Sequence, residues 1–177
     1  MKSGDKNIFS KFKPWIISFA LLPFSIYYAL NHGNFTFIDY VNLLIHEGGH
    51  GIFSIFGKFI YTLGGTLMQI IIPGMFVVYY LIVRKRVWAQ IFLIWLGENL
   101  INISVYAADA RSQKLPLLGG NKVYHDWTYL LIQTDLLMYD QIIGMIIYWI
   151  GITMFAVSFA MPLFLKDYAQ TDLKLSV

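Results

Sequence analysis

His46 and His50 stand four residues apart with Glu47 between them, in the run His46-Glu47-Gly48-Gly49-His50. Residues four apart share one face of a helix, so this spacing aims two imidazoles at one point and sets Glu47 about 100° round the axis. That is the geometry of zinc-dependent hydrolysis. Two neutral imidazoles and a third protein ligand hold Zn2+, the fourth position takes water, and a neighbouring carboxylate accepts that water's proton. Zinc lowers the pKa of its water to about 7, which makes hydroxide available for attack. Glu47 is the candidate general base.

The elements that must position these groups are apolar. Of 177 residues, 58% are hydrophobic and 13% charged, and mean hydropathy is positive. This composition is that of an integral membrane protein. A hydrocarbon core about 30 Å thick takes about 20 helical residues to cross. Five stretches qualify, at residues 14–30, 37–56, 61–83, 87–108 and 142–165, and the second carries the HExxH. The third is interrupted by Gly64-Gly65 and Pro73-Gly74, so it is open to being broken or re-entrant, which membranes tolerate where protein or a wet cavity satisfies the backbone. The expected fold is an all-α polytopic membrane protein of about five membrane helices. Residues 1–13 form a basic tail, 14–165 a single membrane-embedded domain, and 166–177 a second tail; both tails are expected to be flexible.

Lys2, Lys6, Lys11 and Lys13 precede the first apolar run, but no small-residue cleavage site follows Leu30, so this run is expected to be a retained helix. Five spans with the amino terminus in the cytoplasm place Arg111, Lys114 and Lys122 inside but Arg84-Lys85-Arg86 outside. Those votes conflict under the positive-inside rule. A re-entrant third segment removes the conflict, and the sequence leaves the topology open. The net charge of +3 gives no reason to invoke nucleic acid. The absence of cysteine excludes disulfides and thiolate ligands. The expected partners are the lipid bilayer and a membrane protein or peptide substrate, and a bacterial-type inner membrane suits the small size and basic start.

The third ligand is sought in the fourth segment. At 100° per residue, Glu98, Asn102 and Asp109 fall within about 40° of one another on an otherwise apolar helix. Ionisable groups at mid-bilayer are costly and usually functional. Glu98 and His46 both lie near the middle of their segments, so Glu98 is the first choice, with Asp109, about 16 Å further along, the runner-up. Asn102 is expected to orient Glu98 or a ligating histidine. His125-Asp126-Trp127 follows the irregular connection Leu115-Pro116-Leu117-Leu118-Gly119-Gly120. His125 and Asp126 are candidates to cap the site, relay a proton or bind substrate, while His125 reads equally as a surface residue beside an interfacial Trp. Gly48 and Gly49 would allow tight helix packing or admit an extended substrate strand, and Gly144 with Gly151 reads as a packing face.

An HExxH in a membrane helix, followed by polar residues on a later one, resembles the site-2 protease family of intramembrane zinc metalloproteases. The resemblance covers residues 37–110 and is specific mainly through His46, Glu47 and His50. It implies that the histidines bind zinc, that Glu47 is catalytic, and that an aspartate in an Asn-rich Leu-Asp-Gly motif completes the site. The nearest counterpart here is Asn102 with Asp109, but the surrounding residues are Ala108-Asp109-Ala110, so Leu-Asp-Gly is missing. Gly97-Glu98-Asn99 is similar instead to the third-ligand segment of soluble zinc peptidases that use a glutamate, with Asn102 where those carry a supporting acid. The function expected is peptide hydrolysis within or beside the bilayer. The alternatives are a non-proteolytic metal-binding membrane protein, such as a transporter component or scaffold, and a metal-dependent hydrolase acting on a non-peptide substrate.

Overall fold

The computed structural model describes residues 12–116 and 124–165. Nearly all of both tails, with Lys122 and residues 117–120 of the irregular connection, lie outside them. Every regular element among the described residues is helical: α1 (Ile16–Leu30), α2 (Phe37–Phe53), α3 (Lys58–Ile82), α4 (Arg86–Ala108), α5 (Asp126–Gln133) and α6 (Asp140–Ala160). Among the described residues, four helical stretches are long and apolar enough to cross a membrane, Lys13–Leu30, Lys58–Ile82, Arg86–Ala108 and Leu137–Leu163.

This corrects the expected count of five. The HExxH helix α2 has 17 residues, about 25 Å of rise, and it carries Asp39, Asn42, His46, Glu47 and His50. It is too polar to count as a span. Its start is fixed by the Thr36 backbone N–H and hydroxyl, which donate to Asp39 Oδ2 at 2.6 and 2.7 Å, a capping device that satisfies groups a helix end leaves unpaired. The third segment is neither broken nor re-entrant. α3 runs for 25 residues through Gly64-Gly65 and Pro73.

The four long helices alternate in direction. Tyr148 of α6 donates to the Ala29 carbonyl near the end of α1 at 3.1 Å, while Phe159 near the end of α6 packs on Trp15 and Phe19 at ring distances of 5.6 and 5.5 Å. α4 and α6 pack through small residues: a Cβ on Gly151 would lie 2.8 Å from the Gly97 carbonyl oxygen, and one on Gly144 2.7 Å from that of Ser104. Backbones that close require glycine.

The bundle therefore has two distinct ends. The far end gathers Lys13–Trp15, the turn from α3 into α4, and the end of α6. Gln90 ties it together, donating to Ser18 Oγ and to the Ser158 carbonyl, each at 2.8 Å, and Arg86 donates to the Pro14 carbonyl. The near end gathers the α1–α2 turn, α2 itself, the starts of α3 and α6, the end of α4, and α5. Arg111 and Asp140 form an ion pair there at 2.7 Å. Polar side chains such as Asn42, Thr62, Gln90 and Asn99 are fully buried, whereas Phe24, Leu30, Met75, Ile82, Ile146 and Trp149 are exposed. Apolar groups on the outside and amides on the inside invert the usual partition of a water-soluble domain.

Candidate metal centre

α2 packs on α3 at backbone contact, because a Cβ on Gly49 would lie 2.3 Å from the Gly64 carbonyl oxygen. This approach carries the two α2 histidines to the start of α5. His46 Nε2 lies 2.9 Å and His50 Nε2 3.2 Å from the same atom, Asp126 Oδ2. The ligand atoms of His46, His50 and Asp126 all fall within 4.8 Å of one another, a buried group that could hold a metal ion.

The hydrogen bonds behind the rings decide what those atoms can do. Asn102 Nδ2 donates to Asp39 Oδ1 at 2.6 Å, Gln69 Nε2 donates to Asn102 Oδ1 at 3.3 Å and to Asn99 Oδ1 at 3.4 Å, and Gln69 Oε1 faces His46 Nδ1 at 2.9 Å. The chain ends on a carboxylate, which only accepts, so each amide is oriented and the Gln69 oxygen is the atom presented to His46. His46 Nδ1 therefore carries hydrogen. His50 Nδ1 faces the Tyr61 carbonyl at 2.8 Å, which also only accepts. With both Nδ1 atoms protonated, the neutral rings point two Nε2 lone pairs at a carboxylate oxygen. Three acceptors so close repel unless positive charge lies among them, either as protons on the rings or as a cation.

A bound cation fits this donor set. Two imidazoles and one carboxylate suit zinc with a position left open, and ligating histidines ordinarily donate their other nitrogen to an oxygen acceptor. Gln69 and the Tyr61 carbonyl fill that role. Burial of Asp126 favours its neutral form, but without a cation the hydrogen bonds and charge that protonated His46 and His50 rings supply prevail and hold its carboxyl below the ordinary carboxylate range.

Asp126 is aimed by its neighbours. Its backbone N–H donates to the Tyr106 hydroxyl at 3.1 Å. His125 caps α5, its Nδ1 accepting the Thr128 N–H at 3.3 Å, and its ring lies 4.3 Å from that of Tyr106. Burial pushes the His125 pKa down, against the smaller effect of nearby Asp109, so His125 is neutral and serves α5 as a cap.

The acid that meets the two histidines is thus Asp126, in place of Glu98 or Asp109. Glu98 instead accepts from Asn42 Nδ2 at 2.7 Å, and Asn42 Oδ1 accepts from Trp95 Nε1 at 2.9 Å. Equal depth in the bilayer assumed that α2 stands parallel to α4. In the fold, α2 offers its first turns, Asp39 and Asn42, to α4 and its last turns to α3 and α5. Asp109 lies past the end of α4, where Oδ1 accepts the Lys114 N–H at 3.0 Å and Oδ2 the Leu115 N–H at 2.9 Å. It shapes the connection leaving α4. Asn102 is linked to His46 through Gln69.

A cavity of about 340 Å³ runs beside this group, and Glu47, Tyr106, Asp126, Glu98, Asn102 and His32 are among the residues on its wall. The Glu47 side chain is exposed to that space, with its charge felt by both His50 and Tyr106. Sequence reasoning passed over Gln69, Tyr106 and Tyr61. Gln69 carried a signal, an amide within an apolar run, which needs a buried partner at membrane depth. The Tyr61 contribution is a main-chain carbonyl, to which side-chain pattern is blind.

No protein-family profile, curated protein or solved structure matches the chain.

Proposed function

We propose that this protein is a membrane-embedded zinc metallopeptidase that hydrolyses a peptide bond within or next to the bilayer, in the manner of the site-2 proteases its HExxH helix resembles. The observation that carries the reading is the convergence of the His46 and His50 Nε2 atoms on Asp126 Oδ2, in the wall of a cavity that Glu47 also lines. Zinc held by these three residues supplies a Lewis acid and a water acidic enough to ionise near neutral pH. Glu47 accepts the proton of the attacking water and returns it to the leaving amine. The Tyr106 oxygen already accepts the Asp126 N–H, which leaves its own hydrogen free for the oxyanion that develops at the scissile carbonyl.

Four helices of membrane length and an apolar exterior around buried amides support the bilayer as the setting, and a bacterial-type inner membrane fits the chain. The cavity is the place for substrate. A docking edge in α3 has no support, since α3 is a closed helix whose Gly64 and Gly65 are filled by α2: a Cβ on Gly64 would lie 2.8 Å from the Gly49 carbonyl oxygen and one on Gly65 2.5 Å from His46 Nε2.

The test is the zinc content of the detergent-purified protein together with cleavage of labelled single-span membrane peptides, for the native chain and Glu47→Gln. About one zinc per chain in both, with cleavage only in the native chain, is expected. Failure to take up zinc on reconstitution, or cleavage that survives Glu47→Gln, would refute the proposal. Zinc without cleavage of peptides but with turnover of a lipid extract would move the same chemistry to another substrate.

A further inference from the structure

The four-span bundle turns the conflicting charge votes of the sequence into one orientation. Because α2 does not cross, the turn between α3 and α4 falls at the same end as the start of α1, and the Arg86 contact with the Pro14 carbonyl joins them. The described cations at this far end are Lys13, Arg84, Lys85 and Arg86, and every described acid lies elsewhere. In sequence, the segments that lead into α1, join α3 to α4 and follow α6 hold Lys2, Lys6, Lys11, Lys13, Arg84, Lys85, Arg86, Lys166 and Lys174. That leaves only Lys58, Arg111, Lys114 and Lys122 for the near-end segments. Of these, Arg111 is paired with Asp140, and Lys58 Nζ lies over the Tyr129 ring at 4.6 Å. Short connections rich in lysine and arginine stay in the cytoplasm.

The metal group belongs to the other end. At 1.5 Å per residue, Tyr61 lies about 5 Å and Gln69 about 17 Å from the start of α3, and Tyr106 about 3 Å from the end of α4. His50 binds at the first of these levels, His46 at the second, and Asp126 at the third. The group therefore sits in the outer half of the bundle. The cavity beside it is walled by Asn31, His32 and Asn34 of the α1–α2 turn and by Pro116 and Tyr124, all in near-end connections.

We propose that the chain crosses the membrane four times with its basic end in the cytoplasm, and that the metal cavity opens to the extracytoplasmic side and takes peptide segments presented there, at the membrane surface. The substrate class rests on the peptidase reading, while the orientation does not.

The cysteine-free sequence allows a direct test with the full-length chain. Asn34→Cys and Gln133→Cys place single exposed thiols at the near end, and Lys85→Cys places one at the far end. Intact cells are treated with a membrane-impermeant maleimide, alongside lysed cells and an SDS-denatured control that reads total thiol. Labelling of Asn34→Cys and Gln133→Cys in intact cells, with Lys85→Cys modified only after lysis, is expected, at a tenfold or greater difference. The reverse pattern, or equal labelling of both ends in intact cells, would overturn the orientation. Neither outcome depends on activity: a reversed chain that still binds zinc and cleaves peptides would refute this inference alone, and a correctly oriented chain that cleaves nothing would refute the peptidase reading alone.

Discussion

Adjacent glycines within the HExxH motif face different surroundings, and replacing each by alanine should give opposite results. A Cβ on Gly48 meets nothing within 4 Å, so Gly48→Ala removes a glycine from a helix interior without a clash and should stabilise by about 0.5–1 kcal/mol. A Cβ on Gly49 would lie 2.3 Å from the Gly64 oxygen, 2.7 Å from its carbon and 2.9 Å from Gly65 Cα. These are backbone atoms, so relief requires α2 and α3 to separate by about 1 Å, at an overpacking cost of about 1–3 kcal/mol. The His46 to Gln69 hydrogen bond spans the same interface at 2.9 Å. Stretched by about that 1 Å it leaves hydrogen-bond range, and loss of such a supporting contact weakens metal binding about 10–100-fold. Thermal unfolding in detergent, with and without zinc, reads the first effect, about 2–4 °C per kcal/mol for a chain of this size. Chelator competition reads the second. Should Gly49→Ala bind zinc as tightly as Gly48→Ala, the α2–α3 contact does not set the position of His46.

Three other outcomes follow from the same geometry. Gln69→Leu leaves His46 Nδ1 without its acceptor, so zinc affinity should drop about 10–100-fold while the helical circular dichroism is unchanged; full affinity would show that Gln69 does not hold the ring. Asp126→Asn should abolish stoichiometric zinc binding and Glu98→Gln should retain it, measured by elemental analysis of the folded variants, and the opposite result would return the third ligand to α4. Burial opposes ionisation of Asp109, but the Ser112 hydroxyl and the Leu115 and Lys114 N–H groups hold its pKa below the ordinary aspartate value of 3.8. A carboxylate with a depressed folded-state pKa contributes stability that is complete above the unfolded value and is lost as pH falls through the folded one. Asp109→Asn should therefore cost about 1–2 kcal/mol at pH 7, and the gap in Tm should close in acid below pH 3.8; a gap that widens there would contradict the assignment.

The helices were legible because their apolar runs are long and punctuated by charge, and no tertiary contact is needed to make such a run helical. α2 was misread as a span because the apolar residues of 37–56 were counted and the polar ones discounted: the helical run does continue to Phe56, but Asp39, Asn42, His46, Glu47 and His50 make it too polar to count among the membrane-length apolar helices. The interruptions in α3 were misread because Gly and Pro weaken a helix in isolation, while α2 packed against Gly64 and Gly65 supports it here. Of the stripe Glu98, Asn102 and Asp109, the first two do share the face of α4 that meets α2, as helical periodicity requires, while Asp109 lies past the end of the helix. The partners of that face were not legible, because which residues meet it depends on the angle at which α2 crosses the bundle.

The sequence by itself determined an apolar helical chain and a pair of imidazoles beside a carboxylate, since four-residue spacing on a helix fixes their common face whatever surrounds it. Only the tertiary structure decided which acid meets them. Asp126 lies 76 residues beyond His50 in the chain, at the start of a short helix whose position is fixed by the Tyr106 hydroxyl, the His125 cap and the fold of the connection around Asp109. Long-range proximity of that kind leaves no periodic trace, because it is set by how helices pack and where their connections turn.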